Sequence, residues 1–238
     1  MKPNLVLLPG LVCDRAVWAT QIQALSERVH CHVVDYGLLD SIGDMAQHVL
    51  DTAPAPTFAL AGHSMGGRVA LEVMRRAPGR VHHLALLDTG THPLADGDAG
   101  KKERAGRMGL LQIAERQGMR AMAEQWAKPM VHPSRHGTAL FDNVLNILER
   151  STAEQYAAQI NALLNRPDAA PVLATITCPT LVLTGRDDLW SPPDQHERMA
   201  AAVSSAQLCI VEQCGHMSTL EQPEVVNAAF ARWLFQSG

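Results

Sequence analysis

Gly62-His63-Ser64-Met65-Gly66-Gly67 is the stretch on which the reading of this chain turns. Ahead of it, Thr57-Phe58-Ala59-Leu60-Ala61 is a short apolar run suited to a buried strand. Behind it, Arg68-Val69-Ala70-Leu71-Glu72-Val73-Met74 carries apolar residues at helical spacing. The strand must therefore turn sharply into a helix at Ser64. Such a turn forces φ > 0 on the serine and brings the residues two before and two after it close together, where only small side chains fit. Gly62 and Gly66 occupy those places. The turn lifts the hydroxyl to the rim of a sheet, and the helix N-terminus behind it favours developing negative charge. A bare G-x-S-x-G is common by chance; between this strand and this helix it marks a nucleophile elbow.

On either side of the elbow, strand-like and helix-like segments alternate. Leu5–Leu8 and Cys31–Asp35 read as strands, each followed by a helical pattern: Val17, Trp18, Ile22 and Leu25, then Ile42, Met45, Val49 and Leu50. Leu84–Leu87 is a further strand after the elbow helix. From residue 92 to 170 strand-like runs disappear and the spacing predicts helices over Ala105–Gln117, Met119–Ala127, Thr138–Glu149 and Ala153–Leu164. Alternation then resumes with a strand at Thr180–Thr184, a helix at Pro192–Val203, a strand at Gln207–Val211 and an amphipathic helix over Pro223–Phe235. The expected fold is an α/β, doubly wound, mostly parallel sheet formed by residues 1–91 and 171–238, with an all-helical insertion over 92–170.

Composition narrows the field. The 238 residues are 47% hydrophobic and 18% charged, enough for one sizeable core. A formal charge of −4 with both signs interspersed offers no footprint for nucleic acid. No stretch approaches the roughly 20 apolar residues of a membrane span. Leu5-Val6-Leu7-Leu8 is preceded only by Lys2 and interrupted by Pro9-Gly10, which suits a buried strand better than a signal peptide. Cys13, Cys31, Cys178, Cys209 and Cys214 form an odd set without a C-x-x-C pair, as free or buried thiols in a reducing cytoplasm would. The expectation is a cytoplasmic protein with a small-molecule substrate and no nucleic-acid or membrane partner; the residues leave its oligomeric state open.

A serine hydroxyl needs a general base, and the base an orienting acid. Two loops after strands offer them: Gly185-Arg186-Asp187-Asp188-Leu189-Trp190-Ser191-Pro192 and Cys214-Gly215-His216-Met217. Loops at the carboxyl ends of parallel strands share one edge of the sheet with the elbow, so Ser64, an aspartate and His216 can converge. Either Asp187 or Asp188 could serve, and Asp88, at the end of the Leu84–Leu87 strand, is a third candidate. His63 reads as structural. His30 and His32 would share a strand face as a weak metal pair lacking a third ligand, and His82-His83 reads as surface.

Leu7-Leu8-Pro9-Gly10-Leu11, the elbow, Gly185-Arg186-Asp187-Asp188 with Pro192, and Gly215-His216 together resemble the α/β-hydrolase superfamily. Their order resembles its capped carboxylesterase and enol-lactonase-like serine hydrolases. The resemblance implies Ser64 as nucleophile, His216 as base and Asp188, by its spacing from Gly185 and Pro192, as the acid. It implies an oxyanion hole from the N–H groups of Leu11 and Met65, and no cofactor or metal. Many relatives carry His-Gly where this chain has Pro9-Gly10, a change that leaves backbone donors in place. Met108, Met119, Met122, Trp126 and Met130 in the insertion either line an aliphatic pocket facing Ser64 or pack between helices. The implied activity is hydrolysis of a small, largely apolar ester or lactone. Thioester or carbon–carbon bond cleavage on the same residues, or ligand binding without turnover, are the alternatives.

Overall fold

The computed structural model describes residues 2–235. Six strands, β1 (Asn4–Leu8), β2 (His30–Val33), β3 (Phe58–His63), β4 (Val81–Leu87), β5 (Thr180–Gly185) and β6 (Ala206–Val211), form one sheet in the order β2-β1-β3-β4-β5-β6. Every pairing is parallel. Strands covered on both faces need unbroken apolar sequence rather than alternation. Accordingly β3 and β5 are buried along their whole length, whereas the edge strand β2 alternates exposed and half-buried positions. Burying each of Leu5, Leu7 and Leu8 contributes roughly 1.5–3 kcal/mol.

Helices α1 (Ala19–Leu25), α2 (Ile42–Thr52) and α3 (Met65–Arg76) connect the first strands. Between β4 and β5 lie α4 (Gly97–Gln117), α5 (Met119–Trp126), α6 (Ala139–Glu149), α7 (Ala153–Leu164) and α8 (Ala170–Leu173). The chain finishes with α9 (Pro193–Ala202), α10 (Ser218–Glu221) and α11 (Pro223–Phe235). Helix α1 packs with α10 and α11, and α3 with α2 and α8, so helices flank the sheet. Trp18 and Phe230 are fully buried between them. Strand β4 begins three residues earlier than the apolar run Leu84–Leu87 predicts, because Val81 and His83 pair with β3, the exposed His82 lying at an irregularity between them. Among the described residues no helix is long and apolar enough to cross a membrane.

After β1 the chain runs to β2 on one side and then returns to β3 on the other. The crevice where the order reverses, at the carboxyl ends of the strands, is where ligands bind in open α/β sheets. The register places Leu8 of β1 beside Gly62 of β3, so the β1 loop opens next to the elbow. The Ser64 N–H donates to the Leu87 carbonyl at 2.9 Å, and the Asp88 N–H to that of Leu183 at 2.9 Å. Three consecutive strand ends are thereby tied in a row.

Candidate active site

Ser64 stands between β3 and α3 with φ 54° and ψ −115°, a region costly for any residue with a side chain. Neighbouring backbone enforces it. A Cβ on Gly62 would strike the Gly66 carbonyl, and one on Gly66 would strike that of Leu8 at the end of β1. The Thr89 hydroxyl donates to the Ser64 carbonyl at 2.6 Å and holds the turn from the β4 side. Val12 in the β1 loop, at φ 50°, and Asp88, at φ 49°, share the left-handed conformation. For the β-branched Val12 this is a marked outlier. Its N–H donates to Gln159 Oε1 of α7 at 2.7 Å, so an inserted helix holds the loop that carries Leu11.

His216 lies on the loop after β6. Its Nε2 is 2.8 Å from Ser64 Oγ and its Nδ1 is 2.8 Å from Asp188 Oδ2. With Nδ1–H donating to the carboxylate, Nε2 is left to accept the serine proton. Asp188 Oδ1 accepts the N–H groups of Trp190 (2.8 Å) and Ser191 (2.9 Å). Burial alone would raise the carboxyl, but His216 and these two donors outweigh it and hold Asp188 below the usual carboxylate range. Burial likewise disfavours the imidazolium, yet the adjacent Asp188 charge prevails and raises His216 above an ordinary histidine.

The other aspartates sit elsewhere. Asp187 is half-buried, with an oxygen 3.8 Å from His132 Nε2. Asp88 is fully buried, where it accepts the Gly185 N–H at 3.2 Å and bonds the Ser218 hydroxyl. Burial first, and then the nearby Asp188 charge, lift the Asp88 carboxyl well above the usual range. The two carboxyl groups thus have opposed environments, and His216 bonds the one held low.

His63 is buried and its Nε2–H donates to the His216 carbonyl at 2.8 Å. Burial pushes its imidazole down to about 4, so it is neutral and its 3.5 Å approach to Asp88 is no ion pair. His196 of α9 is buried too, with Nδ1 facing the Pro192 carbonyl and Nε2 accepting the Thr89 N–H at 3.1 Å. Glu221 carries the base loop: Oε1 accepts from Gly215 (3.0 Å) and Met217 (3.3 Å), and Oε2 accepts from His132 (2.8 Å). The His216 N–H donates to the Met130 carbonyl at 2.7 Å. Gln159, His196 and Glu221 had no signature in the sequence, since each acts through a bond to distant backbone.

Ser64 and His216 open onto a cavity of about 880 Å³. Leu11 and Met65 line it, Met65 as the first residue of α3, whose N–H has no acceptor within the helix. Trp126 and Met130 also line it, as does Trp190, whose ring stacks on Trp126 at 5.4 Å and meets His216 edge-on at 4.9 Å. Met122, fully buried, packs in the interior instead, and Met108 is exposed; neither borders the cavity. One wall is charged: Arg68, Lys102, Glu103, Arg107 and Arg166 all face the space. The pocket is therefore not the purely aliphatic one that the methionines suggest. Among the described residues no group of three or more His, Cys, Asp or Glu is placed to hold a metal ion, and His30 and His32 lie on the edge strand β2.

A parallel six-stranded sheet with a strained serine elbow at its topological switch defines an α/β-hydrolase fold. A model of the alpha/beta hydrolase family matches residues 5–229, and the chain belongs to that family. It is similar to the putative carbamate hydrolase RutD of Rhizobium rhizogenes, with 27% identity over 97% of this chain and 92% of that protein. It is similar also to the pimeloyl-[acyl-carrier protein] methyl ester esterase of Nitrosomonas europaea, at 25% identity over 96% of this chain and 94% of that protein. Among solved structures, a thermophilic esterase from Thermogutta terrifontis superposes with a TM-score of 0.86 at 26% identity, covering 98% of this chain and 90% of the other.

Proposed function

We propose that this hydrolase acts on a carboxylic ester or lactone through an acyl-enzyme on Ser64. His216 Nε2 takes the Ser64 proton as Oγ bonds to the carbonyl carbon, and Asp188 stabilises the imidazolium that forms. The Leu11 and Met65 N–H groups receive the oxyanion, each worth roughly 3 kcal/mol at the transition state. When the tetrahedral adduct collapses, the bond to the leaving oxygen breaks and the imidazolium protonates it. His216 then draws a proton from water, whose oxygen attacks the acyl carbon; Ser64 regains its proton and the acid departs. Segment 92–170 serves as a helical cap over the reacting atoms, with 1–91 and 171–238 as the core.

The observation that carries this reading is the unbroken relay Ser64–His216–Asp188, with both links at 2.8 Å, ending on the strained elbow. The esterases among the similar proteins support an ester carbonyl. The carbamate hydrolases favour a second reading, in which the same serine attacks a carbamate carbonyl. A fluorophosphonate probe read by intact mass, with p-nitrophenyl esters assayed on wild type and Ser64→Ala, tests the proposal. Labelling and turnover that both vanish in Ser64→Ala are expected. Turnover surviving in Ser64→Ala would exclude the mechanism, and labelling without ester turnover would move the reading to the carbamate.

A further inference from the structure

The charged wall of the cavity is unevenly paired. Glu103 of α4 accepts both terminal nitrogens of Arg166, at 2.8 and 2.9 Å, and Arg107 Nε at 2.9 Å. One carboxylate thus serves two guanidinium groups. Arg68 and Lys102 are left over, with no carboxylate among the described residues within ion-pair distance of either. Arg68 Nη1 donates to the His92 carbonyl at 2.8 Å, which fixes the group without pairing its charge directly; Glu103 acts on it only from beyond ion-pair distance.

The position of Arg68 is informative. It lies four residues beyond Ser64, one turn along α3 and on the same side of the helix. Both residues line the cavity. A Cβ at position 90 would lie 3.1 Å from Arg68 Nη2, so Gly90 makes room for the guanidinium. Burial, followed by the neighbouring Arg166 charge, pushes Arg68 down to about 9, still cationic at neutral pH. Holding a cation half-buried beside further cations is unfavourable by itself, and an anion in the cavity would reverse that cost. The planar fork of arginine matches a carboxylate bidentately.

We infer that the substrate carries a second, anionic group: it is a hemi-ester or related acyl compound whose free carboxylate binds Arg68, with Lys102 nearby, while its scissile carbonyl rests at Ser64. The inference deepens the serine-hydrolase reading and rests on it for the bond cleaved. The apolar stretch between the two ends of such a substrate would lie against Leu110 and Leu163, which line the same space.

The test is calorimetric binding to the Ser64→Ala protein, which cannot turn the ligand over by the proposed route. Monomethyl adipate and monomethyl glutarate are compared with the neutral dimethyl diesters, in the Arg68 background and in Ser64→Ala/Arg68→Met. The hemi-esters should bind at least tenfold more tightly than the diesters, and that ratio should fall to near one without Arg68. A role for Arg68 in packing alone would weaken both ligands and preserve the ratio. Equal affinities in the Arg68 background, a ratio retained after Arg68→Met, or no binding of hemi-esters at millimolar concentration would each overturn the inference. Failure of the serine reading itself appears elsewhere, in the fluorophosphonate label on wild type.

Discussion

Val12 and Gln159, 147 positions apart, are joined by a 2.7 Å hydrogen bond from the backbone N–H of one to the side-chain oxygen of the other. It holds a β-branched residue in a left-handed conformation immediately after Leu11. Gln159→Leu removes the acceptor while preserving most of the volume. On the proposed mechanism, the Leu11 N–H should then lose its aim at the developing oxyanion. Since removing a whole oxyanion donor costs about 10²–10³ in kcat, misaiming one should cost about tenfold or more, with KM little changed. A loss confined to KM would show that Gln159 shapes the pocket rather than the oxyanion loop.

The two buried carboxylates should separate cleanly. Asp188→Asn leaves His216 without its charge partner and should lower kcat by about 10³–10⁴-fold. Asp88, whose carboxyl burial and the Asp188 charge push well up, should tolerate Asn with a far smaller loss, because the amide still accepts from Gly185. Steady-state kinetics on both variants decides the matter. The reverse ranking would make Asp88 the orienting acid.

The proton balance of His216 predicts a pH profile. In the proposed role of base it must be neutral, and its pKa is raised above the ordinary 6.5. Activity should therefore fall as pH drops through a value above 6.5. Asp188→Asn removes the charge that raises it, so in that variant the acid limb of kcat/KM should move to lower pH. A limb that stays in place would detach it from the His216–Asp188 pair.

Stability should respond to pH through His63 and His196, both held near 4 by burial. A base with a depressed folded pKa is protonated first in the unfolded chain. Its contribution is complete above pH 6.5 and is lost as pH falls from there towards 4. At pH 5 each histidine accounts for about 2 kcal/mol of lost stability. Urea denaturation at pH 7 and pH 5 should show a smaller drop for His196→Gln than for wild type. An equal drop would mean that His196 is not buried as a neutral ring.

The architecture and the convergence of Ser64, His216 and Asp188 were legible because backbone geometry dictates them locally. Ser64 needs Gly62 and Gly66, and the loops of Asp188 and His216 follow strands whose apolar runs cannot be mistaken. The cavity was not legible. Which face of α4 and α5 meets the site depends on packing that no periodicity encodes, so Met122 turned inward and Met108 outward. Lys102 and Arg107 border the cavity although nothing in the sequence pattern singles either one out. Bonds such as Gln159 to Val12 or Glu221 to His132 link positions with no relation in sequence.

The Met130 carbonyl that accepts from the His216 N–H makes one rim of the cavity a fixed abutment. Glu221 doubles the fastening through His132 and Gly215 on either side of it. Prising that rim upward would strip the His216 imidazole of its backbone anchorage. Lys102 and Arg107, on the sparsely buried α4, border the same cavity. With four cations and one carboxylate in its charged wall, the cavity carries an excess of positive charge, so its polarity favours anions among what it admits.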